Sequence, residues 1–220
     1  NLTTGVLSFN FGIGYQKNNL FKNDIRFGKG ITNENGISDY FSEQANKEGN
    51  IPNEILGNAT YASYQGYLIE NNDNNSSTSY KPLTASDADQ ILSTNSMGNQ
   101  SNLDFSMGLN ISNKIYLGGT LGLASINYRS NNILNEQGLT IVDGNSYNYN
   151  ANLVNNYDTQ GSGVNFKLGA ILKPVYEFRI GLSFESPTWY RIADNFSQEL
   201  SLNDIKNFNV SKSIQGSCEL

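Results

Sequence analysis

Five segments of this chain alternate apolar and polar residues for longer than an ordinary strand lasts, and this alternation limits what the chain can fold into. A β-strand sends successive side chains to opposite faces, so period-2 alternation sustained past the usual ~5 to 6 residues marks long strands with one apolar face. In residues 5 to 17, Leu7, Phe9, Phe11, Ile13 and Tyr15 fall on one face, with Ser8, Asn10, Gly12, Gly14 and Gln16 on the other. Residues 102 to 112 set Leu103, Phe105, Met107, Leu109 and Ile111 against Asp104, Ser106, Gly108 and Asn110. Residues 161 to 172 and 178 to 190 repeat the pattern with Val164, Phe166 and Leu168, and with Phe178, Ile180, Leu182 and Phe184. Residues 114 to 129 begin the same way through Ile115, Leu117, Leu121 and Leu123, then change phase around Ala124 and Ser125, so that Ile126 and Tyr128 take up the apolar face. A β-bulge at Ala124 and Ser125 is the simplest cause, and a break in pairing there makes them candidates for an opening in the wall.

The connections are unequal. Ser112-Asn113-Lys114 and the stretch around Pro174 to Glu177 read as tight hairpin turns. Residues 18 to 100, 130 to 160 and 191 to 220 are polar and rich in Asn, Ser, Asp and Gly, and read as long loops at the opposite end. Within the first of them, residues 38 to 47 and 85 to 93 have helix-forming composition, with Ser86 and Asp89 as a capping box, while residues 60 to 70 suit strand or helix.

Short turns at one end and long loops at the other are the plan of an outer-membrane β-barrel. Residues 178 to 190 reach about 36 Å, or roughly 28 Å along the membrane normal at a tilt of about 40°, enough for an apolar band of about 25 Å. Tyr116, Tyr176 and Phe178 beside the short turns, and Tyr15, Tyr128, Trp189 and Tyr190 near the long loops, are placed for aromatic girdles. The expected fold class is therefore all-β: an antiparallel transmembrane barrel with long extracellular loops containing short helices. Five strands cannot close where the smallest such barrels use about eight, so residues 1 to 220 are expected to be a portion of one barrel domain. The competing readings are a soluble β-sandwich binding module and an adhesin-like barrel whose loops bind macromolecules.

Composition removes other classes. The 220 residues carry 14 Lys and Arg against 20 Asp and Glu, for a net charge of -6, with no basic cluster to bind nucleic acid. There is no histidine, and the one cysteine, Cys218, can form neither an internal disulfide nor a zinc cluster, so no metal, cofactor or enzymatic role is expected. Asn33-Glu34-Asn35-Gly36 imitates a calcium loop, but Ile31 and Ser42 occupy its first and twelfth ligand positions. Asp73, Asp87 and Asp89 read as solvated loop carboxylates, and the sequons at Asn1, Asn58 and Asn110 as chance in an Asn-rich chain.

The stretch SNLDFSMGLNISNKIYLGGTLGLASINYRS (101 to 130), followed by GSGVNFKLGAILKPVYEFRIGLSFESPTWY (161 to 190), resembles the FadL/TodX family of outer-membrane transporters in its Bacteroidetes form. Its most specific pieces are Gly161-Ser162-Gly163 leading to Lys167-Leu168-Gly169-Ala170, and Arg179-Ile180-Gly181-Leu182 running into Ser186-Pro187-Thr188-Trp189-Tyr190. The resemblance implies a fourteen-stranded barrel plugged by an N-terminal hatch, passing long-chain fatty acids or other hydrophobic compounds inward, with a lateral opening in the wall. Neither the hatch nor most of the later strands are matched. Expected partners are a hydrophobic small molecule and outer-membrane lipid.

Two groups of residues are candidates for ligand binding. Phe41, Leu83, Ile91 and Leu92 are apolar residues of the longest loop, suited to an external capture groove. Asp104, Lys167, Arg179 and Glu185 fall on the polar face of spanning strands, where Lys167 or Arg179 steers a carboxylate or the charges simply pair across the lumen.

Overall fold

A computed structural model describes residues 4–28, 32–33, 35–48, 59–72, 79–85, 87–205 and 208–219, with the backbone alone at 32, 33, 204 and 208–219. The fold is all-β, with nine strands tracing six columns of one antiparallel sheet. In the first column β1 (Val6–Leu20), β2 (Asn23–Phe27) and β3 (Thr32–Asn33) lie end to end. An insertion follows, made of α1 (Ile37–Glu48), α2 (Ala59–Gln65) and a small hairpin of β4 (Ile69–Asn71) with β5 (Tyr80–Pro82). Then come β6 (Ala88–Ile111), β7 (Ile115–Val142) and β8 (Asn145–Val175), the fifth column of β9 (Phe178–Glu185) and β10 (Trp189–Ile205), and β11 (Phe208–Glu219). Each column pairs with the next, from β1 on β6 to β10 on β11.

All five long segments are strands, and the two short turns share one end, where the Lys173 amide donates to the Lys114 carbonyl at 2.7 Å. The first has three residues, 112 to 114, between paired Ile111 and Ile115; Ser112 and Asn113 both have positive φ, 54° and 56°, and the Lys114 amide donates to the Ile111 carbonyl at 3.0 Å, as in a type I′ turn. The long loops are the main correction. Residues 130 to 142 and 145 to 160 are strand: β7 and β8 stay paired until Val142 faces Asn145 across a two-residue turn, Asp143-Gly144, with φ of 49° and 77°. Residues beyond 190 form β10 and β11, and much of 18 to 100 extends β1 and β6. Residues 88 to 93, in the expected helix 85 to 93, are strand, paired with β7 from Asp89 onward, because cross-strand pairing outweighs weak helix propensity; Ser86 lies outside the described residues. Residues 38 to 47 fall in α1, and 60 to 70 divide between α2 and β4.

No bulge occurs at Ala124 and Ser125. Strand β7 keeps its register with both β6 and β8 through this point, so Ala124 is buried on one face and Ser125 exposed on the other. Ile126 and Tyr128 therefore share the face of Ala124 and Gly122, and the change of phase records a change in what covers each face. A two-against-three irregularity lies instead between β9 and β10, where Asn165 and Phe166 of β8 face three residues, 186 to 188. Ser186 fills the gap: its amide donates to the Phe166 carbonyl at 2.9 Å and its hydroxyl accepts from the Phe166 amide at 3.0 Å. Pro187, with no amide hydrogen to give, suits such a bulge.

The two faces of the sheet differ. One, the band face, exposes Phe9, Phe11, Phe105, Leu121, Phe166, Leu168, Ile180 and Leu182, with Leu109 half-buried. The band ends on the row Tyr15, Leu103, Leu123, Val164 and Trp189. The other, the insert face, carries the insertion at its far end, where Phe41, Ile37, Ala45 and Leu68 pack on Tyr149, Ala151, Leu153, Leu200 and Leu202. Tyr116, Tyr128 and Tyr190 alternate onto this face, so they belong to no girdle on the band face.

Glycines on the insert face make room for side chains that lie across the strands. A Cβ at Gly163 would stand 2.8 Å from the Tyr190 ring and 2.9 Å from the Trp189 carbonyl oxygen. The Tyr190 hydroxyl accepts from Gln100 Nε2 at 2.7 Å, three columns away, so the ring crosses β8 and β7 over Gly163 and the small Ala124 position. Gly161 makes the same allowance for Ile126 and Ile192. Replacing Gly163 with Ala is expected to destabilise the fold by about 1–3 kcal/mol, since backbone as well as ring must shift. Gly169→Ala, whose nearest neighbour would be the Leu182 carbonyl oxygen at 3.9 Å, should be close to neutral; urea midpoints of the two variants test the contrast.

Candidate functional site

The insertion is fixed to the sheet through one buried carboxylate. Glu136 of β7 has no exposed surface, and both of its oxygens accept from the Ile37 amide, at 3.1 and 2.9 Å. Gln90 Nε2 donates to it at 2.6 Å and the Tyr149 hydroxyl at 2.7 Å. Ile37 begins α1, so Glu136 serves from another strand as the anionic cap that a helix N-terminus attracts. Asp39 Oδ2 takes the Gly36 amide at 2.8 Å. A Cβ on Gly36 would come within 2.9 Å of Glu136 Oε1, which explains a residue without one at this position. The Ser38 and Thr84 hydroxyls bond to each other, and Thr140 Oγ1 donates to the Tyr67 carbonyl at 2.8 Å.

Beside the first turn of α1, an open cleft of about 440 Å³ separates Tyr40 from Gln90, Leu134, Leu153, Tyr157, Phe196 and Gln198 of the insert face. Tyr157 and Phe196, with ring centroids 5.1 Å apart, also line a neighbouring trough of about 650 Å³ over Ser96, Tyr128, Ser130 and Asp194. Hydroxyls tie its floor together: Ser96 Oγ lies 3.0 Å from Ser130 Oγ and 3.3 Å from the Tyr128 hydroxyl. Such a surface offers rings, leucine side chains, amides and hydroxyls. It suits binding of an amphiphile; among the described residues no group of three His, Cys, Asp or Glu is placed to hold a metal.

Nearer the short turns, the insert face holds Lys167 between two carboxylates, 3.9 Å from Asp104 Oδ2 and 3.4 Å from Glu185 Oε1. Asn165, almost wholly buried, donates through Nδ2 to Thr188 Oγ1 at 3.0 Å and lies over Gly122, where a Cβ would collide with its Oδ1. Lys167 thus pairs with Asp104 two columns away and with Glu185 on the adjoining strand. Arg179, exposed and next to Ile180, makes no ion pair among the described residues.

The four apolar residues expected to form a capture groove do not come together. Phe41 is buried in the core beneath α1, because the helix turns its apolar side to the sheet. Leu83 is held half-buried, its amide donating to the Leu68 carbonyl at 2.8 Å and its carbonyl accepting from Ile141 at 2.9 Å. Ile91 and Leu92 are consecutive in β6 and so face opposite ways, with only Leu92 on the insert face. Ala124 and Ser125, the candidates for an opening in the wall, sit in continuous pairing. Residues 31 and 34 of the calcium-like stretch, Asp73, Asn1 and Asn58 lie outside the described residues, and of Cys218 only the backbone is described. Glu136, Tyr149, Tyr157 and Phe196 went unmarked in the sequence because they fall in stretches read as loops. The Asp143-Gly144 pair is the sequence signal that could have found them, since Asp-Gly favours a two-residue hairpin turn and so two strands around it.

Replacing Glu136 with Ala leaves the Ile37 amide and Tyr149 hydroxyl unpaired, and should speed hydrogen exchange in α1 by an amount corresponding to about 2–3 kcal/mol of lost protection while β7 and β8 near the short turns exchange as before. Burial first, then the Glu136 carboxylate, raises the Tyr149 hydroxyl above its ordinary value of 10.0. A group whose folded value is raised contributes fully below its unfolded value, so this contact should hold α1 in place below pH 10 and weaken as the pH climbs beyond it; the same exchange measurement against pH tests this. Comparison of the chain with models of known families, with curated proteins and with solved structures finds no match in any of the three.

Proposed function

We propose that these residues are a wall segment of an outer-membrane β-barrel that passes hydrophobic small molecules, such as long-chain fatty acids, with lipid against the band face and the route along the insert face. The observation that carries this reading is the exposed apolar band. From the row of Ile115 and Leu172 to the row of Leu123 and Val164 it covers 8 residue steps of β7, about 26 Å along the strand and about 20 Å along the normal at a tilt of about 40°. Val175 and Phe178, paired and exposed, extend it toward the ~25 Å of a bilayer's apolar band. Aromatic residues close both ends, Tyr15 and Trp189 at one and Tyr176 and Phe178 at the other. Water offers no reason to leave so large an apolar surface open, and a bilayer does.

Beyond the band the sheet continues with polar residues on this same face, including the Arg129–Asp158 pair at 2.7 Å and Asn131–Asn156–Ser197 hydrogen bonds at 2.6 and 3.2 Å. That polar extension favours, as a second reading, a barrel whose projecting strands bind macromolecules. On the transport reading the capture surface is the cleft beneath α1 and its trough, and Arg179 is the cation open to a ligand carboxylate.

Two variants test the proposal. Leu168→Lys puts a charge mid-band, expected to cost about 2–4 kcal/mol of stability in lipid bilayers. In a water-exposed sheet the same change would stay within about 0.5 kcal/mol, a result that removes the membrane reading. Phe196→Asp, with folding checked by heat-modifiable gel mobility, should weaken binding of a fluorescent long-chain fatty acid to the full-length protein at least tenfold. Unchanged affinity in a folded barrel would leave the wall segment without a transport role at this cleft.

A further inference from the structure

On the band face, the row directly beyond the aromatic one consists of Lys17, Ser101, Ser125, Ser162 and Arg191, brought level by the registers of five columns. Lys17 and Arg191 are exposed and form no ion pair among the described residues, and no carboxylate shares their row. In a chain of net charge -6, two open cations on one line are a local reversal of sign. At the Arg191 end the surface dips into an open depression of about 360 Å³ that Ser125, Asn127, Gln160 and Ser162 line beside the arginine, with Gln160 Nε2 donating to Asp158 Oδ1 at 2.9 Å. Asp158, the nearest carboxylate along β8, is taken by Arg129.

We propose that this depression binds the phosphorylated sugar headgroup of a glycolipid whose acyl chains lie along the apolar band. The proposal rests on the membrane reading above and adds a lipid class to it. Three chemistries are stacked in the order such a molecule presents them. Leu123, Val164 and Trp189 offer an apolar and aromatic surface to chains. Arg191, two residues beyond Trp189, offers a planar fork of donors suited to phosphate oxygens. The surrounding hydroxyls and amides, donors and acceptors both, suit sugar hydroxyls. A phospholipid with a small headgroup would use the arginine but leave the Ser125 and Ser162 hydroxyls and the Asn127 amide unused, while Gln160, already donating to Asp158, keeps its Oε1 to accept from a sugar hydroxyl. Lys17, on the first column, gives a second cation at the same level for a further phosphate.

The test uses the full-length protein folded in vesicles of phosphatidylcholine containing one part in ten of diphosphoryl lipid A, compared with the same vesicles containing its dephosphorylated form. Lipid retained after extraction into mild detergent is counted by native mass spectrometry. Wild type is expected to keep the diphosphoryl lipid in preference, with Arg191→Ala lowering retention at least tenfold, Lys17→Ala lowering it less, and Arg191→Lys restoring part of it. Equal retention by Arg191→Ala, or of the dephosphorylated lipid, overturns the proposal. Displacement by millimolar inorganic phosphate shows a site for free anion and overturns the choice of a lipid. If the protein inserts into plain phosphatidylcholine yet shows no preference, this inference alone fails; if it inserts into no vesicle, the membrane reading fails with it.

Discussion

The pairing of β7 with β8 governs the rest of the structure. All 28 residues of β7 face β8 without a register shift, from the turn side at Ile115 to Val142 at the far end. With a side-chain period of two, a slip of one residue would exchange the faces along the whole length, exposing Ala124 and Asn165 and burying Leu121 and Phe166. Type I′ turns lock both ends of β7, with Ser112-Asn113 tying it to β6 and Asp143-Gly144 to β8. Once these are set, each neighbouring column inherits a fixed register, and side chains distant in sequence line up in rows.

That alignment lets the two faces meet different demands. On the insert face, side chains lie across neighbouring strands wherever a glycine or alanine leaves space: Tyr190 over Gly163, Asn165 over Gly122, Ile192 beside Gly161. Hydrogen bonds and ion pairs then join columns that do not touch through their backbones, as Gln100 joins Tyr190. Farther along, the same face receives the insertion, and the deciding contact is Glu136 at the start of α1. A wholly buried carboxylate is costly unless donors surround it, and here the helix amide, Gln90 and Tyr149 supply them. Phe41 and Ile37 add apolar contact, but the cap sets where the helix begins and hence where the cleft under Tyr40 lies.

Sequence alone revealed the segments in which one face is apolar, because only there does period two contrast with its background. Phe9 to Tyr15, Leu103 to Ile111 and Val164 to Leu172 were legible for that reason. From Asn127 to Gln137 the same strand β7 carries Asn, Ser, Gln and Glu on either side, so alternation vanishes though pairing does not. The long polar strands therefore read as loops in sequence, and Glu136, Tyr149, Tyr157 and Phe196 lie within them. Ala124 misled in the opposite direction. Its small side chain and the following Ile126 looked like a slipped phase, whereas the space belongs to Tyr190, a partner 66 positions later that alternation along one strand cannot reveal. Among the ligand candidates, Ile91 and Leu92 were adjacent in sequence and for that very reason point apart once they form a strand.

On the membrane reading, the position of the insertion has a mechanical consequence. The apolar band ends at Leu123 and Val164, whereas the Glu136 clamp and the core around Tyr149 and Leu153 lie 11 or more residues farther along β7 and β8, a distance of about 36 Å or more along the strand. A molecule reaching the insert face beneath α1 has therefore not yet come level with lipid. Between the cleft and the short turns it would meet the Ser96–Tyr128–Ser130 hydroxyls, the Tyr190 ring, and then Lys167 held by Asp104 and Glu185. Each of these is tied to another column, a neighbouring one or one two or three columns away, so moving one disturbs a contact between strands rather than a free side chain. On that reading, passage along this face is opposed by the same cross-strand contacts that keep the sheet in register, and a route for an apolar molecule would lie over them, along the rings of Tyr157, Phe196 and Tyr190.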